Sequence, residues 1–278
     1  MTTRATPEGT SRTRYLTRPG GRIAYDVTGT GPLVICAPGM GDVRFVYRRL
    51  VPRLVEAGYR VATMDLRGHG ESDATFDAYD DPATGEDLLA LTGQLDGPAV
   101  VVGNSMSAAA AAWAAAEDPG AIAGLVLIGP FVRDVPIGWA ALLALRIGLR
   151  RPWGPSVWTS YYARLYPGLK PADLADHQAH IRAALARPGA WRAFLATTHT
   201  THTAVEARLA QVQAPTLVVM GEADPDFPDP AAEARLVAGR LNGRTLLVPG
   251  AGHYPQAQHP DLVAPEIARF LGEVLPRA

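Results

Sequence analysis

The chain has 278 residues, enough to bury a large core as one α/β domain carrying an insertion rather than as two independent domains. Its 26 basic and 27 acidic residues leave a formal net charge of -1, which gives no electrostatic basis for nucleic acid or an anionic membrane and favours a small neutral substrate. The single cysteine, Cys36, excludes an internal disulfide and a cysteine-rich metal site and fits a reducing, cytoplasmic setting.

Residues 1–12 are rich in Thr, Ser, Arg, Pro and Gly, lack the apolar stretch of a secretory leader, and are expected to be a disordered lead-in. Strands are expected over 22–28 and 33–36, around a Gly-Thr-Gly-Pro turn, and then over 60–64, 99–103, 124–128, 216–220 and 244–248. Helical patterns over 47–57, 85–95, 105–116, 230–240 and 261–274 alternate with them, which predicts a mostly parallel, doubly wound α/β sheet. Cys36 falls in a strand and is expected to be buried. The alternation breaks between 131 and 211, where helix formers mix with prolines, so this stretch is expected to be an inserted helical cap on a core of residues 13–130 and 212–278. The most apolar helical pattern in the cap, over 136–149, is broken by Arg146 well short of the roughly 20 residues needed to span a bilayer.

Three motifs fall at the C-terminal ends of expected strands, where open parallel sheets bind ligands. Gly103-Asn104-Ser105-Met106-Ser107 precedes an alanine-rich helix and suits a sharp strand-to-helix turn that exposes a serine hydroxyl. Gly221-Glu222-Ala223-Asp224-Pro225 and Gly250-Ala251-Gly252-His253-Tyr254 then supply a carboxylate and an imidazole, the groups a serine nucleophile needs to lose its proton at neutral pH. Together with Met64-Asp65-Leu66-Arg67-Gly68-His69-Gly70-Glu71-Ser72, this order of Ser, Asp and His resembles the α/β-hydrolases over nearly the whole chain after residue 13. Two departures stand out: the elbow ends in Ser107 instead of glycine, and Pro38-Gly39 replaces the usual His-Gly.

The resemblance implies Ser105 as nucleophile, His253 as base, Asp224 as its orienting acid, and an oxyanion hole formed by the backbone N–H groups of Met40 and Met106. Asp226 and Asp229 are fallback acids, and Asp134 would serve if the acid followed the preceding strand. His69 is implied to be structural, held by Arg67 and Asp65. His259 is expected at the surface. His199 and His202 have the i,i+3 spacing of metal ligands, but no nearby carboxylate or cysteine completes a site, so neither a metal nor a cofactor is expected. The cap holds Trp139, Trp153, Trp158 and Trp191, which are expected to pack the cap and to roof a hydrophobic pocket.

The leading expectation is hydrolysis of an ester, lactone or thioester of a small apolar substrate through an acyl-enzyme. Carbon-carbon bond hydrolysis is an alternative that would call for a buried arginine, with Arg146 or Arg192 as candidates. Perhydrolase or cofactor-free haloperoxidase activity and a low-turnover ligand receptor are further alternatives. With His253 as base, activity is expected to rise through an apparent pKa of roughly 6 to 7.

Overall fold

The computed structural model describes residues 13–134 and 138–275. The expected lead-in at 1–12 and the start of the expected helical pattern at 136–137 lie outside the described residues.

Eight strands form one sheet: β1 (Arg14–Arg18), β2 (Gly21–Thr28), β3 (Leu33–Ala37), β4 (Arg60–Met64), β5 (Ala99–Asn104), β6 (Ile122–Ile128), β7 (Thr216–Gly221) and β8 (Arg244–Val248). Their spatial order is β1-β2-β4-β3-β5-β6-β7-β8. The pairs β1–β2 and β2–β4 are antiparallel, and the pairs from β4–β3 through to β7–β8 are parallel. Every residue of β3, β5 and β7 is buried, as expected for central parallel strands covered on both faces. β1 escaped the sequence reading because it is an edge strand with only Leu16 buried, so it carries almost no alternating apolar signal.

The two sides of each strand feed separate hydrophobic clusters. Ile35, Val101, Leu127 and Val218 face a layer that includes the buried residues of α2 (Asp81–Gln94), α3 (Met106–Glu117) and α9 (Pro230–Arg240). Val34, Val102, Ile128 and Val219 face α1 (Val51–Glu56) and α11 (Pro260–Val274), which follows the short α10 (Pro255–Gln258). The sheet is therefore doubly wound. α3 packs with Ala108 to Ala112, Ala114 and Ala115 buried, since side chains this small let a helix lie close between sheet and α2. Gly85 sits in α2 because a Cβ there would meet the Trp113 ring at 2.4 Å.

Two helix starts differ from expectation. The segment expected as one helix over 47–57 is a 3-10 turn, Arg44–Arg49, followed by α1, because Pro52 near the start of α1 has no N–H to continue a ladder from the preceding turn. α2 begins at Asp81, not 85: Asp80 accepts the Ala83 N–H at 3.0 Å and Pro82 occupies the first turn.

Between β6 and β7 lie the cap helices α4 (Trp139–Gly148), α5 (Gly154–Tyr162), α6 (Leu174–Ala186), α7 (Ala190–Thr197) and α8 (Thr203–Glu206). Trp158, Tyr162, Tyr166, Ile181 and Phe194 of the cap belong to the same cluster as α1 and α11, so the cap is seated on that side of the core. Among the described residues no helix is long and apolar enough to cross a membrane. In the sheet, β3 is followed outward by β4 on one side and flanked by β5 on the other, so the chain reverses its winding direction between β3 and β5. The loops after these two strands face each other across that crevice.

At the end of β5, a Cβ on Gly103 would lie 2.4 Å from the Ser107 carbonyl oxygen. Gly103→Ala is expected to destabilise the fold by about 1–3 kcal/mol through overpacking, measured by urea denaturation. An unchanged midpoint would mean that α3 can shift away at no cost.

Candidate active site

Ser105 links β5 to α3 with φ 57° and ψ -121°, a conformation that costs a non-glycine residue about 1–3 kcal/mol and persists only where the surroundings enforce it. Its N–H donates to the Ile128 carbonyl at 2.8 Å, and its own carbonyl accepts the Ala108 N–H at 3.0 Å. Small neighbours are required: a Cβ on Gly39 would lie 2.9 Å from the Ser105 Cβ. The buried Asn104 side chain donates to the carbonyls of Ile128, at 3.0 Å, and His253, at 3.2 Å, tying the elbow to the loop after β8. Ser107 explains its own departure from glycine, because its hydroxyl donates to the Pro38 carbonyl and so pins the start of α3 to the loop after β3.

Asp224 follows β7 and His253 follows β8. Their side chains meet at 2.7 Å, His253 Nδ1 to Asp224 Oδ2, and each residue is only 2 % exposed. With Nδ1–H donated to the carboxylate, Nε2 is left as the basic nitrogen. Gly129, at φ +51°, leaves room for the ring, since a Cβ there would come within 2.9 Å of it. Asp226 stands behind, with Oδ2 at 3.8 Å from His253 Nδ1 and its N–H donated to Asp224 Oδ1 at 3.0 Å. The sequence-predicted Asp224 and His253 are thus brought together, with Asp226 beside them. Asp134 and Asp229 are not. Asp134 accepts from the His202 N–H and the Thr203 hydroxyl, and Asp229 caps α9 at Ala232.

Burial opposes a charge on His253, but the charge and hydrogen bond of Asp224, reinforced by Asp226 and Asp42, outweigh it and push the imidazole up to about 9. That lies above the range near neutrality expected for activity, a reading that considered one carboxylate where three act. Burial pushes Asp226 above the usual carboxylate range, with Asp224 adding to the effect and His253 opposing it.

The loop after β3 holds Met40, partly buried, and is closed by the Asp42 N–H on the Gly39 carbonyl at 3.3 Å. His69 braces it: Nδ1–H donates to the Arg67 carbonyl at 2.9 Å and Nε2 accepts the Gly41 N–H at 3.0 Å. Burial holds His69 below the ordinary imidazole value, in keeping with the neutral form that these bonds require. Asp65 does not hold His69, as the sequence suggested; it binds the Arg44 guanidinium and the backbone N–H groups of Arg44 and Glu71. From the cap, Trp158 Nε1 donates to the Gly41 carbonyl at 3.0 Å.

Asp42 is a buried neighbour of the candidate site that the sequence reading missed. It is wholly buried, and its carboxylate accepts from its neighbour Val43 N–H at 2.7 Å, from Tyr162 OH at 2.8 Å and from His177 Nε2 at 2.7 Å. Tyr162 OH lies 3.0 Å from Tyr166 OH, and both rings pack on Tyr254, the residue after His253. This network joins the loop after β3 to two cap helices and to the histidine loop. The partners are 120 and 135 residues away in sequence, so no local pattern signals them.

Other expectations need correction. Trp158 and Trp191 are buried and pack on Phe194, but Trp139 is 80 % and Trp153 50 % exposed, so these two do not roof the site. Arg146 and Arg192 are exposed and do not provide the buried guanidinium that a dienoate carboxylate would call for. His202 does meet a carboxylate, Asp81 at 2.6 Å, which is distant in sequence; His199 instead lies against the Leu195 carbonyl. His259 stands at the N-cap position of α11 without a side-chain capping bond and is half-buried. Among the described residues, Asp224, Asp226 and His253 bring metal-type ligand atoms within 4.8 Å of one another, but His253 Nδ1 and Asp224 Oδ2 are already committed to each other.

The His253 ring is expected to titrate near 9 in NMR spectra, and Asp226→Asn is expected to bring that value down by removing a charge from beside Nδ1. A ring already neutral at pH 7, unmoved by Asp226→Asn, would show that Asp224 alone governs it.

The model of the Alpha/beta hydrolase family matches residues 34–266. A segment of the polyketide synthase ThaQ of Burkholderia thailandensis is 31% identical over 97% of this chain, which spans only 13% of that protein's length. The 2-(acetamidomethylene)succinate hydrolase of Mesorhizobium japonicum is 28% identical over 90% of this chain and 92% of its own. Among solved structures, a bromoperoxidase from Bacillus anthracis superposes with a TM-score of 0.79 at 21% identity, covering 94% of this chain and 99% of that one. With the sheet order, the elbow and the family match in agreement, the chain belongs to the alpha/beta hydrolase family.

Proposed function

We propose that this chain is a cofactor-free serine hydrolase that cleaves an ester, lactone or thioester of a small apolar substrate. The observation that carries the reading is the buried His253–Asp224 pair, whose loop is bonded through Asn104 to the strained elbow bearing Ser105. Ser105 Oγ attacks the carbonyl carbon as His253 Nε2 takes its proton, and Asp224 stabilises the imidazolium. The carbonyl oxygen becomes an oxyanion facing the N–H groups of Met106 and Met40. Met106 opens α3, and first-turn N–H groups have no acceptor within their own helix. His253 then protonates the leaving alcohol or thiol, and water attacks the acyl-enzyme by the reverse sequence of proton transfers.

The exposed positions of Arg146 and Arg192 favour an uncharged acyl group over a dienoate. A carbon-carbon bond hydrolase therefore stands behind the ester reading, although a 2-hydroxy-6-oxononadienedioate hydrolase of Cupriavidus pinatubonensis is 29% identical over 96% of this chain.

Ser105→Ala and His253→Ala are each expected to lower turnover of an activated ester by about three orders of magnitude or more, with the double variant little worse. Asp224→Asn should lose most activity, and Asp134→Asn very little. Labelling of Ser105→Ala by a fluorophosphonate would displace Ser105 as nucleophile. Because neutral His253 is the base, kcat/KM should climb with pH towards a plateau above about 9.

For uncharged esters, kcat/KM is expected to rise with acyl length at about 25 cal/mol per Å² of apolar surface buried. Trp139→Ala, on the outer side of the cap, should leave that rise intact. A steepest preference for acetyl esters would remove the apolar pocket from the proposal while leaving the triad in place.

A further inference from the structure

We propose that the outer face of the cap docks on an anionic lipid surface. The inference is independent of the reaction assigned above. On α4, Trp139, Leu143 and Ile147 recur at i, i+4 and i+8, so they share one face of the helix, and they are 80 %, 50 % and 49 % exposed. Trp153, 50 % exposed, folds back on the same helix end, its indole N–H donating to the Ile147 carbonyl at 3.0 Å. Val157 of α5 continues the surface: it is 41 % exposed and lies 3.6 Å from where a Cβ on Gly148 would stand. Two exposed indoles on one contiguous apolar face are costly in water and point to a partner that covers them.

The charge around this face says what the partner is. Between Asp134 and Asp173 the chain has four arginines and one lysine and not a single carboxylate. Arg146, Arg150 and Arg151 are exposed at the end of α4 and just beyond it. The even balance of the whole chain, from which no membrane contact was expected, averages this segregation away. An apolar helical face with tryptophan and arginine at its edges matches the boundary between headgroups and acyl chains, where indoles sit among the ester groups and guanidinium meets phosphate. A second copy fits poorly, because a two-fold contact would set these cations against themselves.

The face also leads to the site. One turn beyond Val157, Tyr161 donates its hydroxyl to Asp226, which stands 3.8 Å from His253 Nδ1. A membrane under α4 and α5 would therefore lie at the seam between the cap and the acid loop, where an apolar substrate dissolved in lipid could enter.

The test is co-sedimentation of the full chain with vesicles of phosphatidylcholine alone and of phosphatidylcholine with phosphatidylglycerol, at low and high salt. Anionic vesicles are expected to bind at least about tenfold more tightly at low salt, and reversing Arg146, Arg150 and Arg151 to Glu should abolish the difference. Trp139→Ser should weaken binding to anionic vesicles with Tm unchanged, since that side chain is 80 % exposed, and adding Trp153→Ser should weaken it further. Equal partition of wild type to both vesicle types would overturn the proposal. So would a dimer in sedimentation velocity that Trp139→Ser dissolves, or binding to soluble polyglutamate as strong as to anionic vesicles and indifferent to Trp139→Ser, which would identify a second copy or an acidic protein as the occupant.

Discussion

The turn at Ser105 is the constraint on which the site depends. A non-glycine residue holds φ 57° only because its surroundings leave it no alternative, and here they do so by proximity: Gly103 admits the first turn of α3, Gly39 admits the serine Cβ, and Asn104 bonds outward to two loops. The strain of about 1–3 kcal/mol is small against the burial of β5 and the alanine face of α3. That packing also explains why a serine can stand at position 107. Its hydroxyl is spent on the Pro38 carbonyl, so the crowding a Cβ introduces is offset by a bond that ties the elbow to the loop opposite.

Three carboxylates set the electrostatics around His253. Asp224 is bonded to it, Asp226 is close enough to act through space, and Asp42 adds a contribution from beneath the cap. All favour imidazolium, the form a base adopts after taking a proton, and all raise the pH at which the free base is available. A more basic histidine is therefore obtained together with a smaller neutral fraction at neutral pH.

The cap contributes in two directions. Inward, Trp158 reaches the Gly41 carbonyl, and Tyr162 and His177 reach Asp42, so the loop after β3 is held by cap and core together. His69 supports the same loop from the core side by accepting the Gly41 N–H. Outward, Trp139, Leu143, Arg146 and Ile147 of α4 are exposed. The segment between β6 and β7 thus both braces the loop after β3 and presents a surface of distinct chemistry.

The order Ser105, Asp224, His253, the strands that carry them and their placement at strand C-terminal ends were legible in the sequence, because strand periodicity, glycine-rich turns and residue order are local properties. The same holds for buried Cys36 and for the alanine helix after the elbow. β1 was not legible, since an edge strand with one buried side chain leaves no pattern. Nor was the division of the tryptophans: composition marks an indole as apolar but not as facing core or solvent, and α4 turns Trp139 outward while α5 turns Trp158 in. The pairings of Asp42 with Tyr162 and His177, and of Asp81 with His202, belong to the tertiary structure alone. Each joins residues more than a hundred positions apart, and a buried carboxylate finds such partners only when the sheet and cap have closed around it.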